Sequence, residues 1–238
     1  MAKYYGESSK YLFWNEKIAA FFALIYLMFL VYIAYFVFIK HTLYLTSLSG
    51  ILALIIVCGP TTLFCYLVYR YFNRRSDKFY YGRKGEDYVY YELRKLPNEF
   101  TIFEDVKIIG DGNIDFVILG PTGIFAIEVK SHSGNIEYNN GELLKNGAPF
   151  QEKNILNQVM GEALTLQNNL KSEVTFVYPV LVFSNKYVKM DFGFKPQDNV
   201  YVLKKPYLNN FIKSLPATLD ETKLLKIENL LKLLLKKV

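Results

Sequence analysis

The sequence predicts an integral membrane protein in two parts: a transmembrane α-helical hairpin, then an α/β domain whose mixed sheet is flanked by helices. Three observations carry this reading. Residues 18–39 are 22 positions without a charge, bracketed by Lys17 and Lys40, and about 20 apolar residues cross a hydrocarbon core. A second uncharged stretch, 42–69, is interrupted by Gly50 and by Gly59-Pro60, where a helix should kink. From Gly82 onward, helical spacing and strand runs alternate over about 160 residues, an ordinary domain size.

The division follows: residues 1–75 as a membrane anchor with spans at about 18–39 and 47–69, and residues 76–238 as the α/β domain with a C-terminal helix. A secretory signal would have a shorter apolar region and end at a small-residue cleavage site, and neither holds here. The formal charge of +6 divides unevenly, about +5 in residues 1–75 and +1 in the remainder, so net charge alone gives no argument for nucleic acid. Lys3, Lys10 and Lys17 precede the apolar pair and Arg70, Arg74, Arg75 and Lys78 follow it, against Lys40 in the turn. The positive-inside bias then places both termini and the α/β domain in the cytoplasm, as a multi-pass protein of the cell membrane. Tyr71, Phe72, Phe79, Tyr80 and Tyr81 suit either an interfacial belt or the core of the next domain. Cys58 and Cys65, seven apart in an apolar run, match neither a disulfide framework nor a zinc spacing, which suits a reducing compartment.

In the second part, Val89, Tyr90, Leu93 and Leu96 recur at helical spacing, predicting a helix over about 84–95 that stops before Pro97. Residues 100–109, 114–119 and 124–130 read as strands, the last two joined by the turn Gly120-Pro121-Thr122-Gly123. Residues 151–170 carry Ile155, Val159, Ala163, Leu166 and Leu170 on one helical stripe. Strands follow at 174–183 and 200–203, and a Leu/Lys helix begins near Leu219. There Leu224, Ile227, Leu231, Leu234 and Val238 suit packing on the domain's own sheet, a partner helix or an anionic surface.

If the turn pairs Leu119 with Ile124, Phe116 falls opposite Ile127 and Asp115 opposite Glu128. Phe116, Ile118, Phe125, Ile127 and Val129 then fill one face, leaving Glu128 and Lys130 with Asp115 on the other. Directly opposed carboxylates cost stability, and a bound Mg²⁺, which prefers oxygen ligands, would relieve that cost. Lys130, ~7 Å along the face, would sit where a cation orients water or stabilises phosphate charge. Glu86 falls on the stripe of its helix that should face the sheet, with Gly82 and Gly85 allowing close approach. Each residue has an ordinary reading too. Glu86 reads alternatively as a first-turn acid complementing the helix dipole, Gln158 as plain amphipathic helix surface, and Glu128 with Lys130 as an ion pair on a solvated strand face. His132 lacks a partner motif and is read as incidental.

Taken together, Gly82-Arg-Lys-Gly85-Glu86, Asp115 in Ile-Asp-Phe-Val-Ile, Gly123-Ile-Phe-Ala-Ile-Glu128-Val-Lys130, Gly134, and Asn154-Ile-Leu-Asn-Gln158 resemble the nuclease-related domain family. That family is a branch of the PD-(D/E)XK restriction-endonuclease-like superfamily, and the resemblance covers roughly residues 80–185. It implies a restriction-endonuclease-like mixed sheet and a catalytic set of Glu86, Asp115, Glu128, Lys130 and Gln158. In that set Asp115 and Glu128 match the metal-binding acids, Glu86 the helix acid that assists the metal, Lys130 the catalytic lysine and Gln158 the helix polar residue. Ile114 replaces the proline of the superfamily name, and Ile155 stands where the family often has proline, so the start of that helix is open to difference.

The expectation is a Mg²⁺- or Mn²⁺-dependent nuclease acting on DNA or RNA, with DNA favoured, held in the membrane by two spans and open to a homo-oligomer or a protein partner. Two other readings are a tethered, inactive nuclease-fold module that binds nucleic acid or protein, and a structural membrane protein acting through its C-terminal helix.

Overall fold

The computed structural model describes residues 2–5, 82–107, 112–150, 154–170, 174 and 176–235, together with ten helical positions between 21 and 70. The chain divides into two compact units, residues 1–9 with 82–238, and residues 10–81.

In the first unit, β1 (Lys3–Tyr5), β2 (Thr101–Lys107), β3 (Asn113–Gly120), β4 (Gly123–Lys130), β8 (Val177–Phe183) and β10 (Tyr201–Lys204) form one mixed sheet in that order. β2, β3 and β4 run antiparallel, while β1 on β2, β8 on β4 and β10 on β8 are parallel pairs. The hairpin register is the expected one, from Gly120 with Gly123 through Leu119 with Ile124 to Phe116 with Ile127. A smaller sheet comprises β5 (Gly134–Asn139), β6 (Glu142–Lys145), β7 (Ala148–Pro149) and β9 (Val188–Lys189), in the order β7-β6-β5-β9. Sequence periodicity gave no sign of it, since strands of two to six residues hold too few alternations to register.

Helix α1 (82–93) ends before Pro97, two residues earlier than expected. Helix α2 (Ile155–Leu170) starts after Asn154, whose Oδ1 accepts the Asn157 N–H at 3.1 Å, so an N-cap side chain opens the helix without proline. Residues 151–153 of the expected helix lie outside the described residues. After a 3-10 turn at Lys205–Tyr207 come α3 (Leu208–Ser214) and α4 (Glu221–Leu235).

Burial follows the strand alternation. Ile102, Phe116, Ile118, Phe125 and Ile127 pack with Val89 and Leu93 of α1 and with Leu208, Phe211 and Ile212 of α3 on one side of the sheet. Val117, Leu119, Ile124 and Ala126 pack with Ala163 and Leu166 of α2 and Ile227 and Leu231 of α4 on the other. The C-terminal helix therefore covers its own sheet. The small sheet, through Ile136, Leu143 and Val188, packs with Ile155, Leu156 and Val159 at the start of α2.

Residues 1–9, grouped above with the anchor, sit in the α/β unit. Ala2 and Lys3 N–H groups donate to the Leu96 and Phe100 carbonyls at 3.0 Å each. Tyr4 packs edge-on against Tyr90, and Tyr5 stacks on Phe103.

In the second unit the described positions Phe21, Leu24, Ile25, Met28, Phe29, Tyr32, Leu63, Tyr66 and Leu67 are helical and exposed. Among the described residues no helix is long and apolar enough to cross a membrane. Apart from these positions, the spans expected at 18–39 and 47–69, and the linker at 70–81, lie outside the described residues.

Candidate active site

The site lies where the sheet stops pairing regularly. Partners along β2 and β3 step from Glu104 with Phe116 to Val106 with Ile114, leaving no pair at Asp115. Asp105, across from it, adopts φ +55°, a left-handed conformation rare outside glycine, asparagine and aspartate. Phe103 and Val106, three apart, and Ile114 and Val117, three apart, all pack in the cluster beneath α2 and α4. Strict alternation would put each pair on opposite faces, so the alternation of both strands slips by one residue at Asp105 and Asp115 while the register between them is unbroken.

That slip corrects the expected facing of Asp115 and Glu128: the β3–β4 ladder pairs no residue beyond Phe116 with Ile127. Instead Asp115 Oδ2 accepts the Val129 N–H at 2.7 Å, a side chain serving where a ladder carbonyl would. Burial, then the nearby Glu128 and Glu86 carboxylates, raise the Asp115 carboxyl well above the usual range, opposed by the Val129 N–H and by Lys130.

Glu128 and Lys130 share a strand face, as the period-2 pattern requires, and pair with Leu181 and Phe183 of β8. Lys130 Nζ lies 3.0 Å from Glu128 Oε1, with both side chains largely buried. From α2, Gln158 Nε2 donates to the same Glu128 oxygen at 3.1 Å and to Glu162 Oε1, one turn on, at 2.9 Å. Gln158 thus bridges two carboxylates from an exposed position on α2. Glu162 is 6% exposed. Burial first, then the Glu128 charge, lifts its carboxyl from 4.5 to about 7, against the Gln158 amide and Lys130.

Glu86 arrives from the opposite side on α1. Gly85 brings the helix in close: a Cβ there would stand 2.7 Å from Ser184 Oγ and 3.2 Å from Ser131 Cβ, whereas one at Gly82 would meet nothing within 4 Å. Of the two glycines expected to permit approach, Gly85 does so. Ser184 in turn donates its N–H to the Lys130 carbonyl at 3.0 Å, so α1 abuts the ends of the strands that carry the site. Burial, then the charges of Glu104 and Glu128, push the Glu86 carboxyl from 4.5 to about 7. Glu104 is itself buried and accepts the Tyr4 hydroxyl hydrogen; burial raises it, with Asp87 and Asp105 adding to the effect against the Tyr4 bond.

Glu86, Asp115, Glu128, Lys130 and Gln158 are therefore within one another's field or hydrogen-bond reach. Among the described residues, however, no three His, Cys, Asp or Glu side chains converge as one metal shell. Asp115 is turned to the Val129 amide, and Glu128 to Lys130 and Gln158, so the three expected ligands stay apart. Two carboxylates with hard oxygen donors do fit the modest protein share of a Mg²⁺ shell, which water and phosphate otherwise fill. His132 lies edge-on to Phe150 at 5.2 Å.

Sequence reading missed Glu104 and Glu162. Both carried a signal: Glu104 falls two residues from Ile102 on a strand face, and Glu162 lies four residues from Gln158, beside Ala163 on the buried stripe of α2.

No curated protein and no solved structure matches the chain. The family model of the nuclease-related domain does match, over residues 81–184, a stretch that runs from the start of α1 through the end of β8 and contains every residue of this site.

Proposed function

We propose that the protein is a membrane-anchored, cytoplasm-facing, divalent-metal-dependent nuclease that hydrolyses phosphodiester bonds of DNA or RNA, with DNA the first substrate to test. One observation carries this reading: Lys130 and Gln158 both hold one Glu128 oxygen beside half-buried Asp115, inside the stretch matched by the nuclease-related domain. Simple strand-surface charges would not be buried together at an interruption of the sheet.

In the reaction, a water oxygen bonds to phosphorus, one P–O ester bond breaks, and the water's hydrogen replaces the lost ester on the leaving hydroxyl. Asp115 and Glu128 would hold a Mg²⁺ or Mn²⁺ ion, assisted by Glu86, and that ion supplies Lewis-acid stabilisation of phosphate charge. Lys130 is held by Glu128 with its ammonium at the site, where it offsets charge developing on phosphate oxygens. Gln158 fixes the second hydrogen-bonding direction of Glu128.

Anchoring by two spans is supported by the uncharged runs and by the exposed apolar helical positions Phe21, Leu24, Ile25, Met28, Phe29 and Tyr32. Chain connectivity adds a constraint. Residues 1–9 and 82–238 belong to one unit, which suits an even number of crossings between them. The cation-rich flanks favour the cytoplasm for both.

The test is cleavage of labelled single- and double-stranded DNA and RNA by the detergent-solubilised full chain, with Mg²⁺, Mn²⁺ or chelator. Metal-dependent cutting that disappears in Glu128→Gln supports the reading. Folded protein that cuts nothing under any metal rejects it and favours a tethered binding module. Accessibility of single cysteines placed in the 40–47 turn and at the C terminus, measured in intact cells, tests the topology.

A further inference from the structure

Gln158 stands between two carboxylates, with its Nε2 donating to Glu128 Oε1 at 3.1 Å and to Glu162 Oε1 at 2.9 Å. A side-chain amide nitrogen carries two hydrogens and its oxygen none. Both donors are therefore spent, and turning the amide over would set its oxygen against two carboxylate oxygens. Glu128 alone would not impose this. Lys130 Nζ lies 3.0 Å from the same Glu128 oxygen, and a flipped amide could instead offer its oxygen to that ammonium. Glu162, buried one helical turn along, removes the ambiguity in its ionised form, because a carboxylate accepts only the N–H side of the amide.

We propose that Glu162 is a positioning residue that fixes the polarity of Gln158, so that Gln158 presents its carbonyl oxygen to the reaction centre as an acceptor for the attacking water. This rests on the hydrolase reading. An acceptor there orients the water's hydrogens and so aims its lone pair, an effect on the chemical step. A donor would instead hold substrate phosphate and act on binding. Glu162 touches neither water nor phosphate in this scheme.

The chain contains four glutamines, so full-length protein in micelles with ¹⁵N in glutamine side chains gives four amide pairs, and Gln158→Leu identifies the pair of interest. In the native protein the Gln158 pair stands apart from those of exposed glutamines. Glu162→Leu, close in size and without an acceptor, moves it to their positions and, at pH 8 where the native carboxyl is ionised, lowers kcat about 10-fold with KM unchanged within about twofold, as for other residues that orient a ligand from behind. Gln158 resonances unmoved by Glu162→Leu overturn the proposal, and so does an unchanged kcat with a raised KM. Native protein that cuts nothing rejects the hydrolase reading and with it the role in catalysis, while the resonances separately decide whether Glu162 sets the amide.

Discussion

The Tyr4 hydroxyl donates its hydrogen to the Glu104 carboxylate, a hundred residues away in the chain. One residue later Tyr5 reaches Glu228 at 3.1 Å, and Lys232 closes on that same carboxylate at 2.6 Å. Residues 2–5 thus tie α1, the sheet edge and α4 together, with Tyr4 on one face and Tyr5 on the other. Because Glu104 is buried, loss of its donor should be felt: Tyr4→Phe is expected to destabilise the α/β unit by about 1–3 kcal/mol, measured by urea unfolding. Unchanged stability would show that β1 contributes only surface contacts.

The same strand predicts how the unit can be isolated. Residues 82–238 alone expose the β2 edge that β1 covers, and an uncovered edge invites association. Joining residues 1–9 to 82–238 through a flexible linker should give a monomer that unfolds in one transition. The piece without residues 1–9 should self-associate, as light scattering would report. Equal behaviour of the two would contradict a structural role for β1.

At the site, Glu128→Gln and Lys130→Ala should each abolish cleavage while leaving the circular dichroism spectrum unchanged. The two differ in stability. Lys130→Ala leaves Glu128 buried without its nearest cation, a change that costs more than removing the charge itself. Lys130→Ala is therefore expected to be the less stable variant, and Glu128→Gln the better reagent for trapping bound nucleic acid. Residual cutting by Glu128→Gln would remove this carboxylate from the mechanism.

The central hairpin was legible because Gly120 to Gly123 pins its register and eight-residue strands repeat the pattern often enough to assign faces. Lys130 could be put on the face of Glu128 for the same local reason. The slip at Asp115 was not legible, since it follows from the left-handed turn of Asp105 on a neighbouring strand. β1 was hidden by its three-residue length and by a partner nearly a hundred positions away. Glu162 sits beside Ala163 at the edge of the buried stripe of α2, so its burial was legible, whereas its contact with Gln158 depends on side-chain placement, which periodicity does not encode.

Gly85 and Gly82 make a matched pair of probes. A methyl group on Gly85 would collide with Ser184 and Ser131, while one on Gly82 meets open space. Gly85→Ala should cost about 1–3 kcal/mol through overpacking and shift Glu86 with the helix, reducing cleavage. Gly82→Ala should be neutral or stabilising by up to about 1 kcal/mol, because it only narrows the unfolded ensemble. Equal effects on thermal midpoint and activity would mean that α1 does not bear on the strand ends.

Stability should also depend on pH in a direction set by the crowded acids. Glu86 and Glu162 hold their protons to about 7 in the folded protein, against an ordinary 4.5. Between those values the unfolded chain has already released protons that the folded chain keeps, so the metal-free protein loses stability as pH rises from about 4.5 to 7 and changes little from these groups above that. Glu86→Gln and Glu162→Gln should each flatten the slope. A divalent cation needs the ionised acids, so Mg²⁺ should raise the thermal midpoint at pH 7.5 and have little effect at pH 5. Thermal scans at pH 5, 6 and 7.5, with and without Mg²⁺, check both signs. A midpoint that climbs through this window without metal, or a Mg²⁺ effect larger at pH 5, would show that these carboxylates are not the cation's ligands or their neighbours.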